Sequence, residues 1–483
     1  MNGLLETHED YDLNIDLWTK VDDVCKGQRA IKIGKEKYLP VPESFKSDDG
    51  RYEEYLDRAV FYGVTGTTLN SYIGSAFNKL PDFNKPDDLA YLERNADGSG
   101  RSIYQLSQRM LRMILKHYRC GVYVDYPNVS PSRNRAEDKI KNAYPMIHIL
   151  GAMSILDWDD IIVGNQKKLS FVKILEVIST RSADGFSQDT VEQYRVLRLE
   201  DINGQHVYTV AVYELTKDGA GFVEKEKYTP TDYNGKTWDY IPFTFCGAVD
   251  NSEEIDRAPL LELADLNLAH YRNSADVEES GFIVGQPIMC FPSIDEQQYQ
   301  LIKKEDLAVG SRRGFPTKVE IVQAEQNSLA KQLMADKWSQ MKEIGARLIE
   351  VGSANKTATQ AENDSSVQHS VISLAVSNIS EALTMALRWC ARFTMANYDL
   401  DYEQLSYTIS QDFNKPIFSE ERAKRLYEAC VAGNLPWSVW FTYEQTGVFT
   451  EDDWETVEGK IEEDRMKNPL GNYNAFNVDN SQQ

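Results

Sequence analysis

The sequence predicts an α+β protein, and three observations predict it. Apolar residues recur at three- and four-residue spacing in segments that begin near Arg51 and Ser102. Between residues 144 and 250, β-forming runs alternate with Asp-Gly and Asn-Gly dipeptides, the pattern of an antiparallel meander. After Pro259 the helical period returns and carries through three further segments. At 483 residues the chain is also too long for a single ordinary core.

Residues 1–50 read as a mixed opening segment, with Tyr38-Leu39-Pro40-Val41-Pro42 extended because proline turns its predecessor away from helix. Tyr52, Tyr55, Leu56, Ala59, Val60 and Tyr62 predict a helix from Arg51, and a second apolar series runs from Thr67 to Phe77 before Leu80-Pro81. Asp97-Gly98-Ser99-Gly100 is a turn ahead of a helix over about 102–118, with Leu106, Met110, Met113, Ile114 and Tyr118 on one face. Gly121 to Tyr126 is a strand stopped by Pro127, and the basic stretch 133–141 is a loop tip. Phe171–Ile178 and Tyr194–Leu199 are the clearest strands of the meander, set between turns at Asp184-Gly185, Asn203-Gly204, Asp218-Gly219 and Asn234-Gly235.

Leu260, Ala264, Leu268, Tyr271 and Ala275 form the stripe of a helix over about 257–280. A Pro- and Gly-punctuated segment follows, in which Ile283-Val284 and Val319–Val322 read as short strands. Ser328 is the N-cap candidate of a helix carrying Met334, Trp338, Met341, Gly345 and Leu348. A polar link, 352–362, leads to a helix over about 366–398 without Gly or Pro. Ile372, Ala375, Ile379, Leu383, Ala386, Cys390 and Phe393 lie along one of its sides, and Val371, Leu374, Asn378, Ala382 and Trp389 along another. Apolar on two sides, it is expected to be covered by its own domain and by another copy. Tyr402–Ile409 alternates as a strand, and Ser419–Arg422 and Thr450–Asp453 open two short helices. The polar tail from Asn468 is expected to be mobile.

Charge and composition narrow the function classes. Lys and Arg number 52 against 75 Asp and Glu, a net charge of −23, so general, tight phosphate binding is not the default. No basic and apolar N-terminal regions suggest a signal peptide, and a mean hydropathy of −0.49 with no long apolar window argues against a membrane-spanning helix. The six cysteines are scattered without a CxxC pair and read as reduced thiols. The six histidines show no zinc-binding spacing.

Each candidate for chemistry has a plainer reading that outweighs it. Asp157-Trp158-Asp159-Asp160 reads as a solvated turn before it reads as a hydrolytic pair or a metal site. Gly63-Val64-Thr65-Gly66-Thr67-Thr68 lacks the lysine and the preceding strand of a phosphate-binding loop. No Gly-x-Ser-x-Gly elbow occurs. His117 reads as a satisfied core histidine or a helix-end dipole partner, and Cys120 as a structural thiol. No catalytic residue, metal or cofactor is expected.

The order of elements resembles that of tailed-bacteriophage portal proteins, in particular the portal group formerly known only as a domain of unknown function. The N-terminal part of the resemblance is Tyr38-Leu39-Pro40, then Arg51-Tyr52-x-x-Tyr55-Leu56-x-Arg58-Ala59-x-Phe61-Tyr62. Thr67, Gly74, Phe77, Lys79 and Pro81 follow at matching spacing, then Asp97-Gly98-x-Gly100 ahead of Gly121–Pro127. The second part is Lys356-Thr357-Ala358-Thr359-Gln360-Ala361-Glu362, followed by the long helix that includes Ala386-Leu387-Arg388-Trp389. The match runs over most of residues 30–400.

The resemblance implies a portal-type subunit with an α/β wing, a two-helix stem, a small β-containing clip, a long wing helix and a short helical crown. By position, the wing is 1–255 and 366–415, the stem helices 256–280 and 328–350, the clip 281–327, the tunnel loop 351–365, the crown 416–467 and the tail 468–483. It also implies a ring, usually of twelve copies, at one capsid vertex, assembled in the host cytoplasm, through which double-stranded DNA is packaged, retained and ejected. Partners would be the large terminase subunit, head–tail adaptor and tail proteins, the major capsid protein and a scaffold, with no membrane. The tunnel loop would present Lys356, Thr357, Thr359, Gln360, Asn363 and Asp364 to DNA. Lys331, Lys337 and Lys342 are stem candidates for the channel, and Arg312 and Arg313 would meet DNA or a docking partner at the clip. Trp338, Met341, Ile372, Ile379, Leu383 and Trp389 are the expected contacts between copies. Two rival readings are another virion structural protein, such as an adaptor or tail component, and a carboxylate-based hydrolase with two acids of perturbed pKa in a pocket.

Overall fold

In a computed structural model, the structure describes residues 2–46, 50–126, 143–182, 185–216, 221–285, 288–290, 297, 320–322, 328–347, 371–411, 420–446 and 454–467. The 133–141 loop tip, Arg312 and Arg313, the expected tunnel loop and the tail from 468 lie outside these residues. The chain divides into two compact units, 1–411 and 412–483.

The opening segment is helical, against expectation. Helix α1, Glu9–Lys26, starts under a His8 cap, carries Glu9, Asp10 and Asp12 in its first turn and buries Trp18, Val21 and Val24. Leu13 and Leu17 on its open side blur the stripe that would have announced it. A short α2, Gln28–Ile33, follows. Helix α3, Arg51–Arg58, stops four residues before the apolar series ends, because Ala59 turns extended. Helix α4, Val64–Ala76, contains the Gly63–Thr68 stretch, which is therefore a helix start and not a phosphate cradle. Strand β1, Asp82–Asn84, precedes helix α5, Ile103–His117, whose Ser102 and Gln105 form a capping box.

Strands β2, Arg119–Asp125, β3, Met146–Gly151, and β9, Phe243–Gly247, make a three-stranded antiparallel sheet in the order β3-β2-β9. Cys120 and Cys246, far apart in sequence, stand directly opposite each other in it. Both are free and buried. Gly121 is needed here, since a Cβ would lie 2.7 Å from the Phe243 ring and 2.8 Å from Ile155 Cδ1.

The expected meander is present as a five-stranded sheet: β4, Ile155–Val163; β5, Gln166–Arg181; β6, Gln188–Ile202; β7, Gln205–Leu215; and β8, Phe222–Tyr228. Asn203 and Gly204 both have positive φ, 55° and 79°, as the tight β6–β7 hairpin requires. The Asp157–Asp160 stretch is part of β4 rather than a turn. Trp158 is buried between His8 and Arg119, each 3.9 Å from it, while Asp157 pairs with Lys173 and Asp160 with Lys167 at 3.4 Å.

Helix α6, Leu261–Val284, runs past the expected strand at Ile283-Val284, which is its last turn. Strands β10, Ile288–Cys290, and β11, Glu320–Val322, pair antiparallel. Helix α7, Ser328–Arg347, and helix α8, Val371–Thr394, follow, and β12, Ser406–Thr408, closes the unit by pairing with β1. The second unit has helices α9, Glu420–Val431, α10, Trp437–Thr446, and α11, Trp454–Lys467. Its small core is Ala423, Leu426, Val439 and Tyr443. The α10 run of Trp, Val and Phe shows no helical stripe, and the sequence reading passed it over.

Gly66 sets the approach of α4 to α1: an added Cβ would sit 2.7 Å from the Cys25 carbonyl oxygen. Gly66→Ala gains about 1 kcal/mol of helix propensity but forces two backbones apart, at about 1–3 kcal/mol. A lower urea midpoint with unchanged slope is expected; an equal or higher midpoint would show that α1 and α4 do not pass this closely.

Candidate functional site

The segment with functional promise begins at α6. The expected stripe residues Ala264, Leu268, Tyr271 and Ala275 are buried, as is Leu260 at its N-cap. Part of its polar side is buried too, at Asn267, Ser274 and Glu279. Asn267 Oδ1 accepts from Thr65 N at 3.2 Å and from Thr65 Oγ1 at 3.0 Å, while its Nδ2 donates to the Tyr62 carbonyl at 2.8 Å. Ser274 Oγ donates to the Val60 carbonyl at 2.6 Å and accepts from Val60 N at 3.2 Å. Tyr55 donates to Asp276 at 2.7 Å, Arg58 Nε to Glu279 at 3.0 Å, and Arg272 Nε to the Tyr38 carbonyl at 3.0 Å. The expected first stem helix is thus joined to α1, α3 and α4. Glu262, Asp265, Arg272, Asp276 and Glu278 stay exposed along it, and its last turn also exposes Phe282 and Ile283.

Helix α7 packs along α6 and is open on its other side. Ala330 and Met341 are buried, whereas Leu329, Leu333 and Trp338 are exposed. The Gly345 carbonyl accepts from Tyr72 Oη, which anchors the end of α7 to α4. The three stem lysines do not share a face. Lys337 lies on the side of Ala330, Met334 and Met341, near enough to His270 to lower its pKa, second to the effect of burial. Lys331 and Lys342 lie away from that side; Lys342 Nζ stands 5.4 Å from the Trp338 ring, which is 39% exposed yet packs edge-on against Tyr62 at 6.1 Å and lies 6.1 Å from His270.

Helix α8 is enclosed by its own chain. Ile372, Ile379 and Leu383 are fully buried and Trp389 is 5% exposed. With Met341 at 1%, five of the six residues expected between copies have no side-chain area left to offer; only Trp338, at 39%, does. The reason lies in the packing. Helix α5 and strands β2 and β9 cover one side of α8, and β12 lies along another. Asn378 donates to the Gly247 carbonyl at 3.0 Å, Thr384 Oγ1 accepts from Tyr407 N at 3.1 Å and Ser380 Oγ from Ile409 N at 3.1 Å. What remains open is a polar strip with Ser377, Glu381, Met385 and Arg388. Of the candidate tunnel-loop, clip and stem side chains, only Lys331, Lys337 and Lys342 are among the described residues.

The most strongly perturbed titratable groups lie elsewhere, and sequence spacing had no means of finding them. Asp125 is buried beneath the five-stranded sheet and its pKa is raised by that burial, although Arg195 Nη1 at 3.3 Å and Tyr228 Oη at 2.9 Å oppose the shift. Burial works to lower the Arg195 pKa, but Glu176, at 2.6 Å from its Nε, and Asp125 hold it above its ordinary value. One guanidinium thus bridges both carboxylates. A pair so neutralised ties β2 to β5 and β6, and is a poor acid–base couple. His117 is buried, yet neither ring nitrogen has a hydrogen-bond partner among the described residues, and its Nε2 is 3.9 Å from Asp22. It is thus not the satisfied core histidine expected. Burial, with the Lys116 charge, lowers its pKa to about 4. Among the described residues no group of three metal-ligating side chains occurs, and no helix is long and apolar enough to cross a membrane.

Comparison with known proteins adds the following. Residues 259–394 match the family described as Domain of unknown function (DUF4055). The matched stretch begins just before α6 and ends with α8. No curated protein matches the chain. Among solved structures, one similar chain belongs to the neck of an empty GTA particle computed with C6 symmetry. It is 13% identical, with a TM-score of 0.39, covering 84% of this chain and 94% of that one. Another belongs to the neck of a native GTA particle computed with C12 symmetry, at 11% identity and a TM-score of 0.36, covering 76% of this chain and 85% of that one. Scores this low carry no argument.

The buried His117 has a pH signature. Its pKa is about 4 when folded and about 6.5 when unfolded, so between these values the unfolded chain binds the extra proton. Stability should be unaffected above pH 6.5 and fall as the pH drops from 6.5 to 4, by about 3 kcal/mol at most. His117→Asn should flatten urea stability across that window. An identical slope in both proteins would show that His117 is neutralised by some other group.

Proposed function

We propose that the chain is a portal subunit of a tailed bacteriophage, one wedge of a closed ring, usually of twelve, at a single capsid vertex. The observation that carries this reading is the order of elements over 261–394: two helices packed side by side, an antiparallel β pair between them, and a return through a polar link into the long α8. The resemblance of the N-terminal and Lys356–Glu362 motifs supports it independently. On this reading β10 and β11 belong to the clip, and Arg312 and Arg313 meet the terminase large subunit, the adaptor or DNA. Lys356, Thr357, Thr359, Gln360, Asn363 and Asp364 face the DNA, and Lys331 and Lys342 are the stem lysines open to the channel.

Charge supports the role as well. A conduit must let a polyanion slide without holding it, and contacts to six to ten phosphates make binding steeply salt-dependent and tight. A chain with net charge −23 and few cations near the axis would avoid that. The ring is read as a passive channel and docking platform, with no turnover of its own.

The joining of α6 to α1, α3 and α4 favours a second reading, another head–tail structural subunit in which the hairpin is part of the body. Negative-stain images of the purified full chain separate the two. A holed disc with a narrow stalk is expected; a solid particle or a ring without a stalk favours the second. Deleting residues 354–364 should leave ring mass unchanged but abolish genome-filled particles, and normal filling would remove the tunnel-loop assignment.

A further inference from the structure

The pairing of β5 with β6 runs farther than the sheet around it. It extends from Phe171 opposite Arg198 to Arg181 opposite Gln188. Strand β4 ends its pairing at Ile174 of β5, and β7 ends at Gln193 of β6. The pairs from Val177–Glu192 to Arg181–Gln188 therefore form a two-stranded ribbon with no third strand on either edge among the described residues. The ribbon carries no Lys or Pro, and its edge charges are Arg181, Asp189 and Glu192. The ribbon is also apolar for a projecting element: Val177 is 59% exposed, Ile178 41%, Val191 39%, and Phe186 near its tip 90%. A two-stranded hairpin is marginally stable by itself in water.

The open strip of α8 has the complementary chemistry. Ser377, Glu381, Met385 and Arg388 line a shallow cleft of about 470 Å³ whose opposite wall includes Tyr402 and Ile409. Met385 and Tyr402 are exposed in it, and Arg388 makes no ion pair with any described residue. Glu381 and Arg388 are seven residues apart on one face, roughly 10 Å along the helix. On the ribbon, Val177, Glu192 and Arg181 share one face, with Arg181 four residues beyond the Val177–Glu192 pair, or roughly 13 Å. Laid along α8, the ribbon sets Arg181 at Glu381 and the Val177–Glu192 pair at the Arg388 end beside Met385, so that opposite charges meet at both ends.

We propose that the β5–β6 ribbon of one copy docks in the α8 cleft of the next. The partner is a second copy of this chain because the two ribbon charges are opposite in sign to the two cleft charges and an exposed apolar side chain accompanies each pair. The two surfaces are different parts of the molecule, so the contact is head-to-tail and propagates until a ring closes. This deepens the ring reading above and rests on it.

The test uses the full chain carrying Val177→Cys and Met385→Cys together, oxidised mildly after assembly and run denatured without reductant. A reducible ladder of covalent multimers is expected, where each single variant stops at dimers. Arg181→Glu should raise the concentration for half-assembly at least tenfold, and adding Glu381→Arg should restore it. Rings of normal mass with no ladder, or with only a crosslink inside one chain, overturn the docking and leave the ring reading intact. Wild-type chain that stays monomeric at every concentration overturns both.

Discussion

The structure depends on the polar seam that joins α6 to the N-terminal helices. A 24-residue helix with Asn267, Ser274, Asp276 and Glu279 on its polar side would ordinarily face water. Here each of these groups meets a partner from residues 55–65, and Asn267 alone satisfies one backbone N–H, one hydroxyl and one carbonyl. Buried polar groups of this kind stabilise only when every member is matched, because an orphan costs more than a formed bond contributes. The irregular backbone between α3 and α4 presents two of those partners, Val60 and Tyr62. It explains why α3 ends where its apolar pattern would have continued.

The seam also decides which surfaces remain for assembly. With α6 covered on part of its polar side by the N-terminal helices and on another side by α7, and with α8 enclosed by α5, the sheets and β12, the two most apolar helices of the 259–394 segment have little left to give. Among the described residues, the open face of α7, the strip of α8 and the overhanging ribbon are surfaces the first unit offers to other molecules. A helix that is apolar on two sides can be filled from both by a large enough single chain, and that is the case here.

Much of the secondary structure was legible. The apolar face of α5, the meander with its Asn-Gly hairpin and the long Gly- and Pro-free α8 follow from local rules of turn conformation and periodicity. The misses share a physical cause. Leu13 and Leu17 spoil the stripe of α1, and α10 is too rich in aromatics to show one. Asp157–Asp160 resembles a turn because nothing local reveals that Lys173 and Lys167 stand across a strand pair. Of the candidate site, the lysines of α7 were legible as residues, but their division between two faces became clear only once Met341 was seen to face inward.

By itself, the sequence determined the α+β class, the acidic surface charge and the order of helix, β pair, helix and long helix, since these depend on residue type and spacing along the chain. Tertiary structure alone decided which polar residues are buried and which apolar helix is already satisfied. It also decided that Cys120 faces Cys246, and that one arginine holds both Asp125 and Glu176. Such facts depend on partners tens to hundreds of residues away, whose desolvation and hydrogen bonding have no trace in local periodicity.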